Sequence, residues 1–272
     1  MKYLFNIIVC LISVIILVGC KQTGISPKDS HNFKKILVKG GDFWITTYQK
    51  ITNEHEPYVF YIEGDGFAFN NKYTPSSDPT PREPMLINLA IMDERPNIVY
   101  IARPCQYTPM DLNPKCNKQY WTSKRLSDDS VHSINDVINH INHNNKFSLI
   151  GYSGGGGIAI LVAARNNMVR DIITIAGNLD IVMHTKYHNV SLMAGSLNPI
   201  DYAKQLNHIP QLHLSGKEDK VVPTFIANEF VQSSSSTCVK QEIFPEVNHR
   251  KGWGKIWKSV YTRPLTCKNT SL

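Results

Sequence analysis

Apolar positions along the chain recur in two rhythms. Short stretches of seven or eight residues, as in YVFYIEG (58–64), NIVYIAR (97–103), KFSLIGY (146–152), RDIITIAG (170–177), IPQLHLSG (209–216) and CVKQEIF (238–244), have the length and β-branched content of strands. KKILVKG (34–40) and DFWITTYQKI (42–51) flank Gly40 and Gly41 and predict a hairpin. Between the later strands the period changes: Ile134, Val137, Ile138 and Ile141 share one helical face, and IAILVAAR (158–165) has helical length and composition. Strands alternating with helices predict an α/β fold whose central sheet is mostly parallel, with helices on both faces. The stretch SSSS (233–236) predicts a loop before the last strand, and a helix is expected around PIDYAKQL (199–206).

The first twenty residues, MKYLFNIIVCLISVIILVGC, break this alternation: one lysine precedes an apolar run that ends in Leu17-Val18-Gly19-Cys20. That is the pattern of an export signal. Its end resembles the bacterial lipobox, which implies cleavage after residue 19 and a diacylglyceryl group on the Cys20 thiol. An uncleaved membrane anchor and a plain secreted protein are the alternatives. Residues 20–33, polar and containing Gly, Pro and Ser, then form a lipidated tether, and residues 34–272 the folded domain. Removing the signal leaves roughly 250 residues, enough for one large α/β domain. The expected location is the bacterial cell envelope, attached to the membrane through Cys20 and facing the periplasm or exterior. By resemblance to lipoprotein sorting, Lys21 after the cysteine favours the outer membrane where the host has two.

The net charge of +7 is scattered in pairs without a run of five or more, so no nucleic-acid partner is expected. Besides Cys10 in the signal and the lipid-bearing Cys20, four cysteines remain, and export permits their oxidation. They lie in two groups, and the simplest pairing is Cys105 with Cys116 and Cys238 with Cys267. Their spacing fits no common zinc module, and His140 and His143, three apart on a helix, have no apparent third ligand, so neither metal nor cofactor is expected.

Candidate chemistry centres on LIGYSGGGG (149–157), where Ser153 stands between Gly151 and Gly155 at the junction of a strand and a helix. A phosphate cradle would need a Lys-Ser/Thr pair at its end, and residues 156–159 are Gly-Gly-Ile-Ala. A sharp turn that presents a nucleophile fits instead. A serine hydroxyl needs a base and a carboxylate to orient that base. Downstream, LHLSGKEDKVVP (212–223) supplies Asp219 and IFPEVNHRKGW (243–253) supplies His249, in the order Ser153, Asp219, His249. Glu218 and Asp180 are the rival acids. With this order and setting the domain resembles the α/β-hydrolase superfamily of serine hydrolases.

The resemblance implies that Ser153, His249 and Asp219 form a triad that acts through an acyl-enzyme. It also implies an oxyanion hole built from the N–H of Gly154 and that of Asp65, or of Gly66 if the loop is shifted, in YIEGDGFAF (61–69). Many members have His-Gly where this chain has Glu63-Gly64. Arg103, Gln106 and Trp121, in the segment after the fourth strand, and Tyr152 beside the serine are candidates to shape the substrate site. Only about 30 residues separate TIAGNLD (174–180) from the next strand, which leaves room for a small cap or none and suits soluble or polymer-borne esters. The expected function is hydrolysis of an ester, with amides open because esterases and peptidases share this machinery. The alternative is a catalytically silent hydrolase-fold lipoprotein that binds an envelope component.

Overall fold

A computed structural model of the protein describes residues 32–267; the expected signal and lipidation site, and all but the end of the tether, lie outside the described residues. Phe33, the tether's last residue, is already buried and stacks beneath the Lys50 ammonium. Eight strands form one sheet: β1 (Lys34–Gly40), β2 (Phe43–Ile51), β3 (Tyr58–Ile62), β4 (Asn97–Ile101), β5 (Phe147–Tyr152), β6 (Val169–Ile175), β7 (Gln211–Gly216) and β8 (Val239–Phe244). Their spatial order is β1-β2-β4-β3-β5-β6-β7-β8. The β1–β2 hairpin and the β2–β4 pair are antiparallel, and every other pair is parallel. Each run expected to be a strand is one.

Among the described residues six α-helices cover the sheet: α1 (Met85–Ile91), α2 (Asp128–Ile141), α3 (Gly154–Ala163), α4 (Ile181–His188), α5 (Thr224–Ser234) and α6 (Trp253–Tyr261). The strands' alternation divides the core in two. Tyr58, Phe60 and Ile62 of β3 face α2, α3 and α5, whereas Val59 and Tyr61 face α1 and α6. The periodic face of α2 buries Ile134, Val137, Ile138 and Ile141, as its spacing predicts. Ser127 caps that helix by accepting from the Ser130 N–H.

The β6–β7 connection departs from expectation. PIDYAKQL carries only a 3₁₀ turn, Pro199–Tyr202, with hydrogen bonds running to i−3, such as Ala203 N–H to the Ile200 carbonyl at 3.0 Å. The helix lies earlier, as α4, where Asp180 caps Val182 and Met183 N–H and Asn189 ends the helix in a left-handed conformation. No larger cap is inserted here.

Cys105 is joined to Cys116 and Cys238 to Cys267. With a sequence separation of 11, the first closes a loop whose constraint on the unfolded chain contributes about 3 kcal/mol in the chain-entropy treatment. That loop follows β4 and carries groups that support the site.

Candidate active site

Parallel strands end together, so the loops after β3, β5, β7 and β8 converge on one crevice beyond their carboxyl ends. After β5 the chain turns into α3 within one residue. Ser153 occupies that turn at φ 51° and ψ −120°, outside the regions open to most side chains. The turn holds because its neighbours are glycine: a Cβ on Gly151 would meet the Gly155 carbonyl, and one on Gly155 would meet the carbonyls of Ile62 and Glu63. Ser153 N–H donates to the Ile175 carbonyl (2.9 Å), and its own carbonyl accepts from Gly156 and Asn178 (3.0 and 2.9 Å). The strained residue is thus bonded on both sides.

The loops after β7 and β8 bring the other two residues to it. His249 Nδ1 donates to Asp219 Oδ2 at 2.8 Å, which leaves Nε2 as the acceptor for the Ser153 hydroxyl at 3.1 Å. Asp219 Oδ1 accepts from the amides of Val221 and Val222, both at 2.8 Å, so its carboxylate is fixed in rotation. The His249 carbonyl accepts from Tyr152 OH and from Trp253 Nε1, both at 3.1 Å, and this ties the histidine loop to β5 and to the start of α6. The rival acids serve elsewhere. Glu218 is exposed, and Asp180 Oδ1 is occupied by the α4 amides and by Asn198 Nδ2 at 3.2 Å. His140 and His143 are exposed at the end of α2.

Opposite the serine, the loop after β3 lies against α3 closely enough that a Cβ on Gly154 would collide with the Asp65 carboxylate. That carboxylate is paired with Arg125 Nη1 at 2.8 Å and with Arg103 Nη1 at 3.4 Å, so two guanidinium groups balance its charge beside the serine. Gly66 follows at φ 65°, which re-aims the loop. Asp65, Gly66 and Tyr152 border the crevice, a cavity of about 620 Å³ that also exposes Ser153 and His249.

Arg103, Gln106 and Trp121 sit differently from the expected substrate contacts. All three are buried, and none borders that cavity. Gln106 Nε2 donates to the Gly64 carbonyl (3.0 Å) and its Oε1 accepts from Arg103 N–H (3.1 Å), while Arg103 Nη2 donates to the Arg125 carbonyl. Their polar atoms turn inward because a sharp buried loop has backbone groups that need partners. They hold the Gly64-Asp65 loop from behind, and Trp121 packs in the core.

Two side chains at the cavity have no local signal in the sequence. Arg125 precedes α2 and reaches Asp65 only through packing. His184, on α4, borders the cavity and, together with His188, converges on the Val221 carbonyl (3.0 and 2.8 Å). A carbonyl only accepts, so both Nε2 atoms carry protons. Burial, with the Arg125 guanidinium and the His188 ring nearby, pushes His184 down to about 4 and keeps it neutral. Because Val221 N–H in turn holds Asp219, α4 braces the acid loop.

Glu63, where superfamily members often have histidine, is buried at the cavity floor. Burial pushes it up to about 7, against the opposing hydrogen bonds from Tyr100 OH and Gly64 N–H, both at 2.7 Å. A carboxyl whose folded value lies above its unfolded one favours the folded state when protonated, so that stability is complete below about 4.5 and is lost as pH rises through about 7. Thermal unfolding at stepped pH should therefore show wild type losing stability relative to Glu63→Gln between these values, by about 3 kcal/mol in all. Parallel curves for the two proteins would mean that Glu63 does not titrate in that window.

The sheet order, the strained serine turn and the hydrogen-bonded Ser153, His249 and Asp219 define an α/β-hydrolase of the serine type. A model of the FSH1 serine hydrolases matches residues 89–247, more than half of the chain and ending just before His249. The chain belongs to this serine hydrolase family. Among solved structures, an esterase of Pyrococcus furiosus is similar over 87% of this chain and 91% of its own, with 13% identity and a TM-score of 0.61. A serine hydrolase involved in carbazole degradation is similar over 85% of this chain and 98% of its own, at 15% identity and a TM-score of 0.58. The acylaminoacyl peptidase of Pyrococcus horikoshii is similar over 82% of this chain but only 38% of its own, at 15% identity and a TM-score of 0.57. No curated protein matches the chain by sequence. At these identities the structural likenesses concern the fold alone.

Proposed function

We propose that this serine hydrolase is a lipid-anchored esterase of the bacterial envelope in which Ser153, His249 and Asp219 are the catalytic residues. Ser153 Oγ attacks the ester carbonyl carbon while His249 Nε2 takes its proton. The same histidine then returns a proton to the departing alcohol, and water, activated by His249, releases the acid from the acyl-enzyme. Asp219 keeps the imidazole in the tautomer that leaves Nε2 free. The N–H groups of Gly154, at the start of α3, and of Asp65 receive the developing oxyanion, an arrangement in which losing one donor commonly costs about 100- to 1,000-fold in rate. The observation that carries this reading is the 3.1 Å contact from His249 Nε2 to Ser153 Oγ. A silent binding protein of the same fold would have no need to keep that contact beside a strained serine. The small β6–β7 connection favours esters that are soluble or borne on a polymer.

The lipid anchor rests on the lipobox-like Leu17-Val18-Gly19-Cys20 and on the polar segment that follows it. A single acyl chain gives only marginal membrane attachment, so the several chains of a lipoprotein are what would make it stable. In cells expressing the full chain, wild type should fractionate with membranes and hydrolyse a short p-nitrophenyl ester. Cys20→Ser should appear in the soluble fraction or accumulate unprocessed. Retention in the membrane, at wild-type levels, of a variant whose signal has been cleaved would contradict the anchor, and a folded wild type inert toward activated esters would contradict the chemistry.

A further inference from the structure

The cavity over Ser153 does not end at its own rim. A second cavity, of about 970 Å³, adjoins it, and Phe69, Arg125, His184 and Val221 wall both. A ligand with its acyl carbon at Ser153 can therefore extend over this shared wall without leaving the protein surface. Two chain segments distant in sequence build the far side: the loop after β3 contributes Lys72 and Tyr73, and the loop after α4 contributes Val190, Leu192 and Met193.

The lining of the second cavity is chemically one-sided. Tyr73 is 80% exposed and Leu192 65% exposed, large apolar surfaces held out beside a reaction centre, where a bound stem would remove them from water. Among the described residues no acidic one borders this cavity, although Glu63, Asp65 and Glu83 all border the first. Its fixed cations are Lys72 and Arg125. Arg125 is half-neutralised by Asp65 from the first-cavity side at 2.8 Å. Lys72 has only the Tyr73 ring, 5.7 Å from its ammonium, and no ion pair among the described residues. Lys72 is thus the one cation of this lining without a carboxylate partner among the described residues, and a single carboxylate on the ligand would complete it.

We propose that the second cavity is the subsite for the far arm of the ester substrate, and that this arm has an apolar stem ending in a carboxylate. The inference rests on the esterase reading of Ser153 and names the substrate class of that site. The stem packs on Tyr73, Leu192 and Met193, and the carboxylate meets Lys72 at the outer end. The geometry fits a half-ester of a dicarboxylic acid or an ester of a hydroxy acid, free or at the end of a polymer.

The test is steady-state kinetics of the full protein on two matched series. One pairs p-nitrophenyl esters of straight-chain monocarboxylic acids with the corresponding dicarboxylic half-esters; the other pairs acetate esters of simple alcohols with those of hydroxy acids. In one series the carboxylate-tipped member should have the higher kcat/KM, by about fivefold at low ionic strength, through KM. The advantage should shrink in 0.5 M salt, where the Debye length is about 4 Å against about 30 Å at 0.01 M. Lys72→Glu should reverse the ratio, and because Lys72 is exposed the variant should fold. Leu192→Ser should reduce the preference for six- to eight-carbon arms over acetate. Equal rates for charged and neutral members in both series, or a preference that survives both Lys72→Glu and salt, would overturn the proposal. Failure to hydrolyse even p-nitrophenyl acetate would instead overturn the esterase reading, and the subsite with it.

Discussion

Ser153→Ala should lower kcat for a short activated ester by about 10⁴- to 10⁶-fold while leaving the unfolding temperature close to that of wild type. The size of the effect follows from the division of labour at the site. Among the described residues only Ser153 Oγ bonds to His249 Nε2, at 3.1 Å, so without it the proposed covalent route is lost and only the proposed oxyanion donors would still act on bound ester. The small effect on stability follows from the backbone. The turn is held by the Ser153 N–H and carbonyl bonds and by the glycines on either side, none of which alanine disturbs. The measurement pairs initial rates with a thermal melt, and a variant that melts normally yet hydrolyses within tenfold of wild type would remove Ser153 from the chemistry.

Asp219→Asn should cost about 10⁴-fold in kcat, for a different reason. Asparagine is nearly isosteric, and its carbonyl oxygen can still accept from the Val221 and Val222 amides that now hold Oδ1. Its amide nitrogen then faces His249 Nδ1, 2.8 Å away in wild type, and it can only donate. The imidazole responds by placing its proton on Nε2. A base that already carries its proton toward the serine cannot take another, so the site stays assembled and stops working. Nitrogen chemical shifts of the His249 ring would report the tautomer directly, and kcat its consequence. A rate loss caused by misfolding would instead lower the melting temperature and leave the tautomer unassigned.

Much of this site is legible in the sequence because the fold places its chemistry at strand ends, and strand ends are marked by local signals. Gly151 and Gly155 betray the turn at Ser153 because backbone passes where a Cβ would sit. Asp219 and His249 lie just beyond apolar runs that end in Gly216 and Phe244. What is not legible is whatever depends on packing between distant segments. Arg125 lies 60 residues from its partner Asp65, and His184 lies 37 from the Val221 carbonyl it holds. No periodicity encodes those meetings. Arg103 and Gln106 show the converse: the segment after β4 does serve the site, but its polar groups face the buried backbone of the Gly64-Asp65 loop, a need that burial creates and composition does not display. α1, seven residues long and following Pro84, is too short for its period to stand out. α6 is strongly amphipathic, with Trp253, Trp257 and Val260 on one buried face, and it also anchors His249 through the Trp253 indole.

The most direct test of the central claim is covalent trapping. The folded full-length protein is treated with a fluorophosphonate, and the adduct is mapped by mass spectrometry, with His249→Ala alongside. The hydrogen-bonded arrangement predicts one adduct, on Ser153, formed rapidly in wild type and slowed by several orders of magnitude when the base is absent. A folded wild type that ignores the probe, or an adduct on another serine with Ser153 unmodified, would contradict it.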